Sequence, residues 1–311
     1  MLNYIEVEYL GKRIAAELTP ITFLTGNGKS FLIYEIINTI KNIGYKIPKI
    51  SYKNFKIVLR IKDMTYALQR AGPIYRQTLE RGKDRVIFEY GTINGVRISR
   101  LIEPSEMSVK SADVIMPFVE VTEHVAILAD EEIERLNKLI GEFRKAFSLR
   151  ALLIGPFVSP RTFYRPSEGK TELRPDGSNL VGVLSMLAYK SPDDFERLRS
   201  MFKKIGVKLA VGLTNKNILG GAVYIQGVRL PLSKLPCSLK MALTIGAAVA
   251  SRPDILAVDN LDYCFNENVA SVLAAFLEEQ ASRGQVIAEV HNPAIVEHFK
   301  AQYKSVVSVS L

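Results

Sequence analysis

Cysteine is nearly absent from this chain: only Cys237 and Cys264 occur in 311 residues, distant in sequence and without metal-ligand residues spaced around them. This speaks against a cysteine-built metal centre and fits a reducing cytoplasm. No apolar run is long enough to span a bilayer. The opening MLNYIEVEYLGKR carries an acid within a strand-like alternation, unlike a signal peptide or lipidation site. Internal repeats and low-complexity linkers are missing too, which favours one continuous domain over two beads. No sustained heptad pattern interrupts the chain, so long coiled-coil arms are excluded.

What is present is an ordinary globular balance, 48% hydrophobic and 23% charged, with a formal charge of +9 that suits an anionic partner. The excess is concentrated in IKNIGYKIPKISYKNFKIVLRIK, which holds Lys41, Lys46, Lys49, Lys53, Lys56, Arg60 and Lys62 and meets no acid until Asp63. Interleaved tyrosines and Phe55 suit phosphate contacts with base stacking. A lysine-rich sheet edge that discourages aggregation explains the same residues.

The patterning is that of an α/β protein. Alternation predicts strands in LNYIEVEYL, IAAELTPITFLT and NFKIVLRI, and a hairpin turning at Asn94-Gly95. Between them, TGNGKS opens an apolar-periodic helix that closes on Gly44. A helix is expected over Asp130–Phe147 with a stripe of Ile133, Leu136, Ile140, Phe143 and Phe147. Another is capped by Ser191 with Pro192 in its first turn and carries Phe195, Leu198, Phe202 and Ile205. Strands VKLAVGLT and GAVYIQGVRLPL then lead to an apolar helix. The C-terminal third alternates strand (DILAVD), helix (ENVASVLAAFLEEQASRG) and strand (QVIAEV), which argues for a buried parallel sheet.

Three segments carry chemistry. Gly28-Lys29-Ser30 supplies the end of a phosphate loop, whose backbone N–H groups, lysine and hydroxyl would hold phosphates and magnesium. Phe23 stands where the leading glycine belongs, so the loop Gly26-Asn27-Gly28-Lys29-Ser30 is about three residues short relative to the usual pattern. Asp259 ends an apolar strand, as a magnesium-shell carboxylate does. The next position, where a general base would stand, is Asn260, which cannot take a proton at neutral pH. His291 follows the strand QVIAEV and suits a γ-phosphate contact, whereas His124 and His298 read as ordinary polar residues.

Together these elements resemble the ABC-type ATPase heads of the RecF, SMC and OLD-like group, often called AAA-family ATPases, over nearly the whole chain. PITFLTGNGKS is similar to that group's start, LLIGPFVSPR with RPDGSNLVGVL to the segment before its second lobe, DNLDYCFNENV to its acidic strand end, and EVHNP to its switch-histidine segment. The resemblance implies a P-loop NTPase fold with a two-lobed head, a mixed N-terminal sheet and a parallel core sheet. It implies an N-terminal lobe over 1–105, a helical insert and connector over 106–180, and a second lobe over 181–311. ATP and magnesium are the implied cofactors, with Gly26 to Ser30 and Ser238 on nucleotide and Ser30 and Asp259 on metal. The signature segment falls at Leu235-Pro236-Cys237-Ser238, with Ser238 at its glycine position. Loop, general base and signature thus all depart from the family pattern. The expectation is a hydrolysis-deficient head acting as a scaffold or nucleic-acid-associated factor, homodimeric or with a heteromeric partner, without a membrane. The alternative is a slow ATPase in DNA maintenance or defence.

Overall fold

The computed structural model describes residues 1–43, 52, 54–93, 96–103, 107–108, 130–165, 172–214, 218–299 and 304–310. Gly44, the Asn94-Gly95 turn, His124, Lys46, Lys49 and Lys53 lie outside them. In order, the elements are β1 (Tyr4–Tyr9), β2 (Lys12–Glu17), β3 (Ile21–Asn27), α1 (Lys29–Asn42), β4 (Asn54–Ile61), β5 (Met64–Ala71), β6 (Ile74–Arg81), β7 (Asp84–Ile93), β8 (Val96–Glu103) and β9 (Met107–Ser108). There follow α2 (Asp130–Phe147), β10 (Ala151–Ile154), β11 (Phe163–Tyr164), α3 (Leu180–Lys190), α4 (Pro192–Lys203), β12 (Val207–Leu213), β13 (Leu219–Ile225), β14 (Val228–Pro231), α5 (Cys237–Ala250), β15 (Ile255–Val258), α6 (Glu267–Arg283), β16 (Gln285–Glu289) and β17 (Lys304–Ser310).

These form two compact units, each discontinuous in sequence. One comprises residues 1–19, 34–149 and 309–311; the other comprises 20–33 and 150–308, so the phosphate loop groups with the C-terminal half.

The first unit is built on an eight-stranded sheet in the order β2-β1-β4-β5-β6-β7-β8-β9. Its pairings are antiparallel throughout. Strict alternation sends Val7, Ile57, Leu59, Tyr66, Leu68, Leu79, Val86 and Phe88 to the buried side. A buried chain of bonds, Tyr66 Oη to Gln77 Oε1 at 3.0 Å and Gln77 Nε2 to Tyr90 Oη at 3.3 Å, satisfies the polar atoms there. Burial pushes the Tyr66 phenol well above its ordinary value. In α2 the stripe buries Leu136, Ile140, Phe143 and Phe147, with Phe147 ringed against Tyr66 at 6.0 Å.

The second unit carries a five-stranded sheet in the order β10-β15-β16-β3-β17. Its pairs β10–β15, β15–β16 and β16–β3 are parallel. Being covered on both faces, these strands are continuous apolar runs: ALLI, ILAV and ITFL are wholly buried. On this sheet lies α5, buried at Leu239 and from Met241 to Ala250. The stripe of α6 packs through Leu273, Phe276 and Leu277; its N-cap Asn266 accepts a bond from the Asn268 amide at 2.9 Å. A smaller antiparallel sheet joins β11, β13, β12 and β14.

Two local expectations need correction. Ser191 precedes α4 as expected, but its side chain makes no capping bond, its backbone standing at φ −141° and ψ 64°. The helix stops at Lys203, so Ile205 of the expected stripe lies beyond its end. The motif Asp176-Gly177-Ser178-Asn179-Leu180 acts as a bracket. Asn179 Oδ1 accepts from the Arg174 amide at 2.9 Å, and its Nδ2 donates to the Glu172 carbonyl at 2.8 Å. The Ser159 amide donates to the Asp176 carbonyl at 2.8 Å, joining the two loops that flank β11.

Candidate phosphate-loop site

The parallel register brings the expected site residues to one place within the second unit. Leu24 of β3 lies opposite Glu289 of β16, and Val258 of β15 opposite Ala288. The chain leaves all three strands at their carboxyl ends, where open α/β sheets hold ligands. There the loop turns at Gly26 and Gly28, both at φ 90°, a conformation open to glycine and costly to residues with a Cβ. Lys29 then starts α1, and the Leu32 amide bonds the Gly28 carbonyl at 3.0 Å.

Glu289 lies at the centre of this site. Its carboxylate accepts a hydrogen bond from Ser30 Oγ at 2.7 Å. Lys29 Nζ lies 3.6 Å from Glu289 and donates to its own loop's Gly26 carbonyl at 2.6 Å. His291 Nε2 stands 3.2 Å from the same carboxylate. Lys29 is 7% exposed, Asp259 and Glu289 3% each, so these groups have little water to screen them. Burial pushes the Glu289 carboxyl up. A hydrogen bond shared with the Asp259 carboxyl and one from Ser30, with the charge of Lys29 and the neighbouring His291, outweigh it and hold the group below the usual carboxylate range.

The turn carrying His291 is itself fixed. Asp262 Oδ2 accepts from the backbone amides of His291 and Asn292, both at 2.7 Å. The Leu261 amide donates to the Glu289 carbonyl at 2.9 Å. Asn260, between Asp259 and Leu261, sits at φ 58°, in the left-handed region where asparagine is better tolerated than most side chains.

Lys29, Ser30, Asp259 and His291 therefore lie together around Glu289, while Ser238 lies in the first turn of α5. Among the described residues no bond joins Ser238 to the loop. Sequence reasoning missed Glu289 and Asp262. The signal for Glu289 was available: an acid inside the buried apolar strand QVIAE demands partners. By donor chemistry, Lys29, Ser30 and Asp259 suit a magnesium-bound phosphate. In this structure the lysine and serine are engaged by Glu289 and Gly26 instead.

The basic stretch is less uniform than its sequence. Lys41 is exposed in the last turn of α1, and Lys62 turns the chain between β4 and β5 at φ 55°. Lys56 lies 3.7 Å from Glu6, which also receives Arg13, and the Arg60 guanidinium lies 4.7 Å over the Tyr4 ring. Among the described residues no helix is long and apolar enough to cross a membrane.

Comparison with solved structures gives the fold. An Smc head bound to the C-winged helix domain of ScpA aligns over 100% of this chain and 94% of its own, with TM-score 0.50 and 10% identity. The SMC head domain from Thermotoga maritima aligns over 99% and 94%, with TM-score 0.44 and 11% identity. An Smc head with an extended coiled coil, bound to the C-terminal domain of ScpA derived from Pyrococcus furiosus, aligns over 99% and 93%, with TM-score 0.45 and 9% identity. No family model and no curated protein matches the sequence. The chain has the mixed α/β fold of an SMC-like, ABC-type ATPase head.

Proposed function

We propose that this chain is an ABC-type head in which ATP hydrolysis is weak or absent, serving as a scaffold or nucleic-acid-associated factor in the cytoplasm. One observation carries the reading: Glu289 occupies both Lys29 and Ser30, the two side chains that a nucleotide and its magnesium would need. A phosphate entering the loop must displace a buried carboxylate already matched in charge. Asn260 supports the same reading, since its amide cannot deprotonate water. In this proposal Gly26 to Ser30 and Ser238 remain the nucleotide-facing positions, Ser30 and Asp259 the metal-facing ones, and His291 the switch position. An SMC head of similar fold binds the C-winged helix domain of ScpA, which favours a heteromeric protein partner; a homodimer is the other arrangement.

Titration calorimetry with Mg-ATP tests it. The expected result is no binding tighter than about millimolar, equally for wild type and Lys29→Ala. Micromolar binding abolished by that substitution would overturn it in favour of a slow ATPase. That second reading has its own support, because Lys29, Ser30, Asp259 and a carboxylate converge on one point at the strand ends.

A further inference from the structure

The two cysteines, 27 positions apart in sequence, meet in the fold with Cα atoms 5.5 Å apart and are joined as a disulfide. The bond ties together two segments of the site region. Cys237 is the first residue of α5, at the position of the altered signature, and Cys264 lies in the loop between Asp259 and α6. Two residues before Cys264, Asp262 holds the amides of His291 and Asn292. The disulfide therefore anchors the loop that fixes the turn beside Glu289.

We propose that Cys237 and Cys264 form a reversible thiol–disulfide exchange centre, with Cys237 the attacking and Cys264 the resolving sulfur, acting on small disulfides such as oxidised glutathione. Three features support this assignment. Cys237 is exposed, so an external disulfide can reach it, whereas Cys264 is half-buried. It opens a fourteen-residue helix without an acid in its first turn, and the positive end of a helix favours an anionic sulfur. The two Cα atoms already stand at a separation that a disulfide accepts, so closing the bond requires no backbone rearrangement.

The exchange balances. The Cys237 thiolate attacks one sulfur of oxidised glutathione, forming a mixed disulfide and expelling a glutathione thiolate, which takes up a proton. Cys264 then loses its proton and its sulfur displaces the second glutathione from Cys237. Two protein thiols are oxidised, and one glutathione disulfide is reduced to two thiols. An external thiol reverses the sequence by attacking the exposed Cys237 sulfur.

The test equilibrates the full-length chain in glutathione buffers of graded ratio, followed by alkylation and intact-mass measurement. Both thiols should be lost together, within one molecule, and return with added reductant. In oxidised glutathione Cys264→Ser should accumulate a mixed disulfide at Cys237 at least about tenfold faster than Cys237→Ser does at Cys264. Hydrogen exchange at the His291 and Asn292 amides should speed up about tenfold on reduction. Thiols that persist in oxidised glutathione, a bond between molecules instead of within one, or faster capture at Cys264 would each overturn the proposal. The wild-type readings need no substitution, so a variant that fails to fold leaves the test intact.

Discussion

Ser30 Oγ donates a 2.7 Å hydrogen bond to Glu289 across 259 positions of sequence, tying the phosphate loop to the end of β16. Replacing Glu289 with glutamine removes the charge that Lys29 faces while nearly preserving shape. It should lower folding stability by about 3 kcal/mol, because a buried ammonium loses its counter-charge. It should also raise affinity for Mg-ATP at least about tenfold, because the carboxylate no longer competes with phosphate. Thermal melts with and without Mg-ATP read both effects; a nucleotide response no larger than wild type would show that Glu289 does not guard the loop.

Asn260→Glu restores a carboxylate at the general-base position but places it at φ 58°. The left-handed conformation should cost about 1 kcal/mol more for glutamate than for asparagine. No rapid hydrolysis is expected, since Lys29 and Ser30 remain engaged by Glu289. Phosphate release in a coupled assay checks it.

Glu35 lies partly buried on α1, and burial pushes its carboxyl up to about 7. The nearby Tyr52 ring packs tilted against Tyr9, with centroids 4.5 Å apart. A raised folded-state value means that the folded chain binds more protons than the unfolded one. Its stability therefore falls as pH rises from the ordinary carboxylate range through about 7. Glu35→Gln should stabilise by about 1 kcal/mol at pH 8, discounted for partial exposure, and melt with wild type near pH 4.

Gly246 sits in α5 where an added Cβ would lie 2.8 Å from Leu198 and from the Phe276 ring. Gly246→Ala should destabilise by about 1–3 kcal/mol, overcoming the gain in helix propensity. Urea unfolding measures it.

If nucleic acid binds the basic stretch, affinity should fall steeply with salt. Lys56→Ala with Arg60→Ala should then weaken it by about tenfold and flatten the salt slope. Both residues already have partners on their own sheet, which limits what they offer a phosphate. Absence of binding to duplex and single strands at low salt, by fluorescence anisotropy, would remove the interaction.

Much of this was legible where period and partner lie close in sequence. The runs ILAV and QVIA announced buried parallel strands, and Asp259 and His291 fell at their ends. The segment IAAELTPITFLT read as one alternating strand, but it divides into β2 and β3, which lie in different sheets. The strands β5 and β6 were not singled out, because Met64–Ala71 and Ile74–Arg81 mix arginine, glutamine and tyrosine on half-covered faces. The cysteines looked unrelated because a disulfide depends on the path of the intervening chain. Glu289 went unnoticed because Ser30, 259 positions away, and Lys29 beside it meet it only through the sheet register.

The place of β3 has a consequence for how the chain is made. The strand between β16 and β17 is drawn from residues 21–27, yet its partner β16 ends at Glu289. During synthesis that strand emerges early and stays unpaired until nearly the whole chain has left the ribosome. Its apolar residues Ile21, Phe23 and Leu24 must be shielded meanwhile, and so long a loop closure slows folding. A fragment beginning at Arg150 would lack the strand through which β17 joins the sheet, leaving β16 an open edge. Neither half of this polypeptide is a self-sufficient piece.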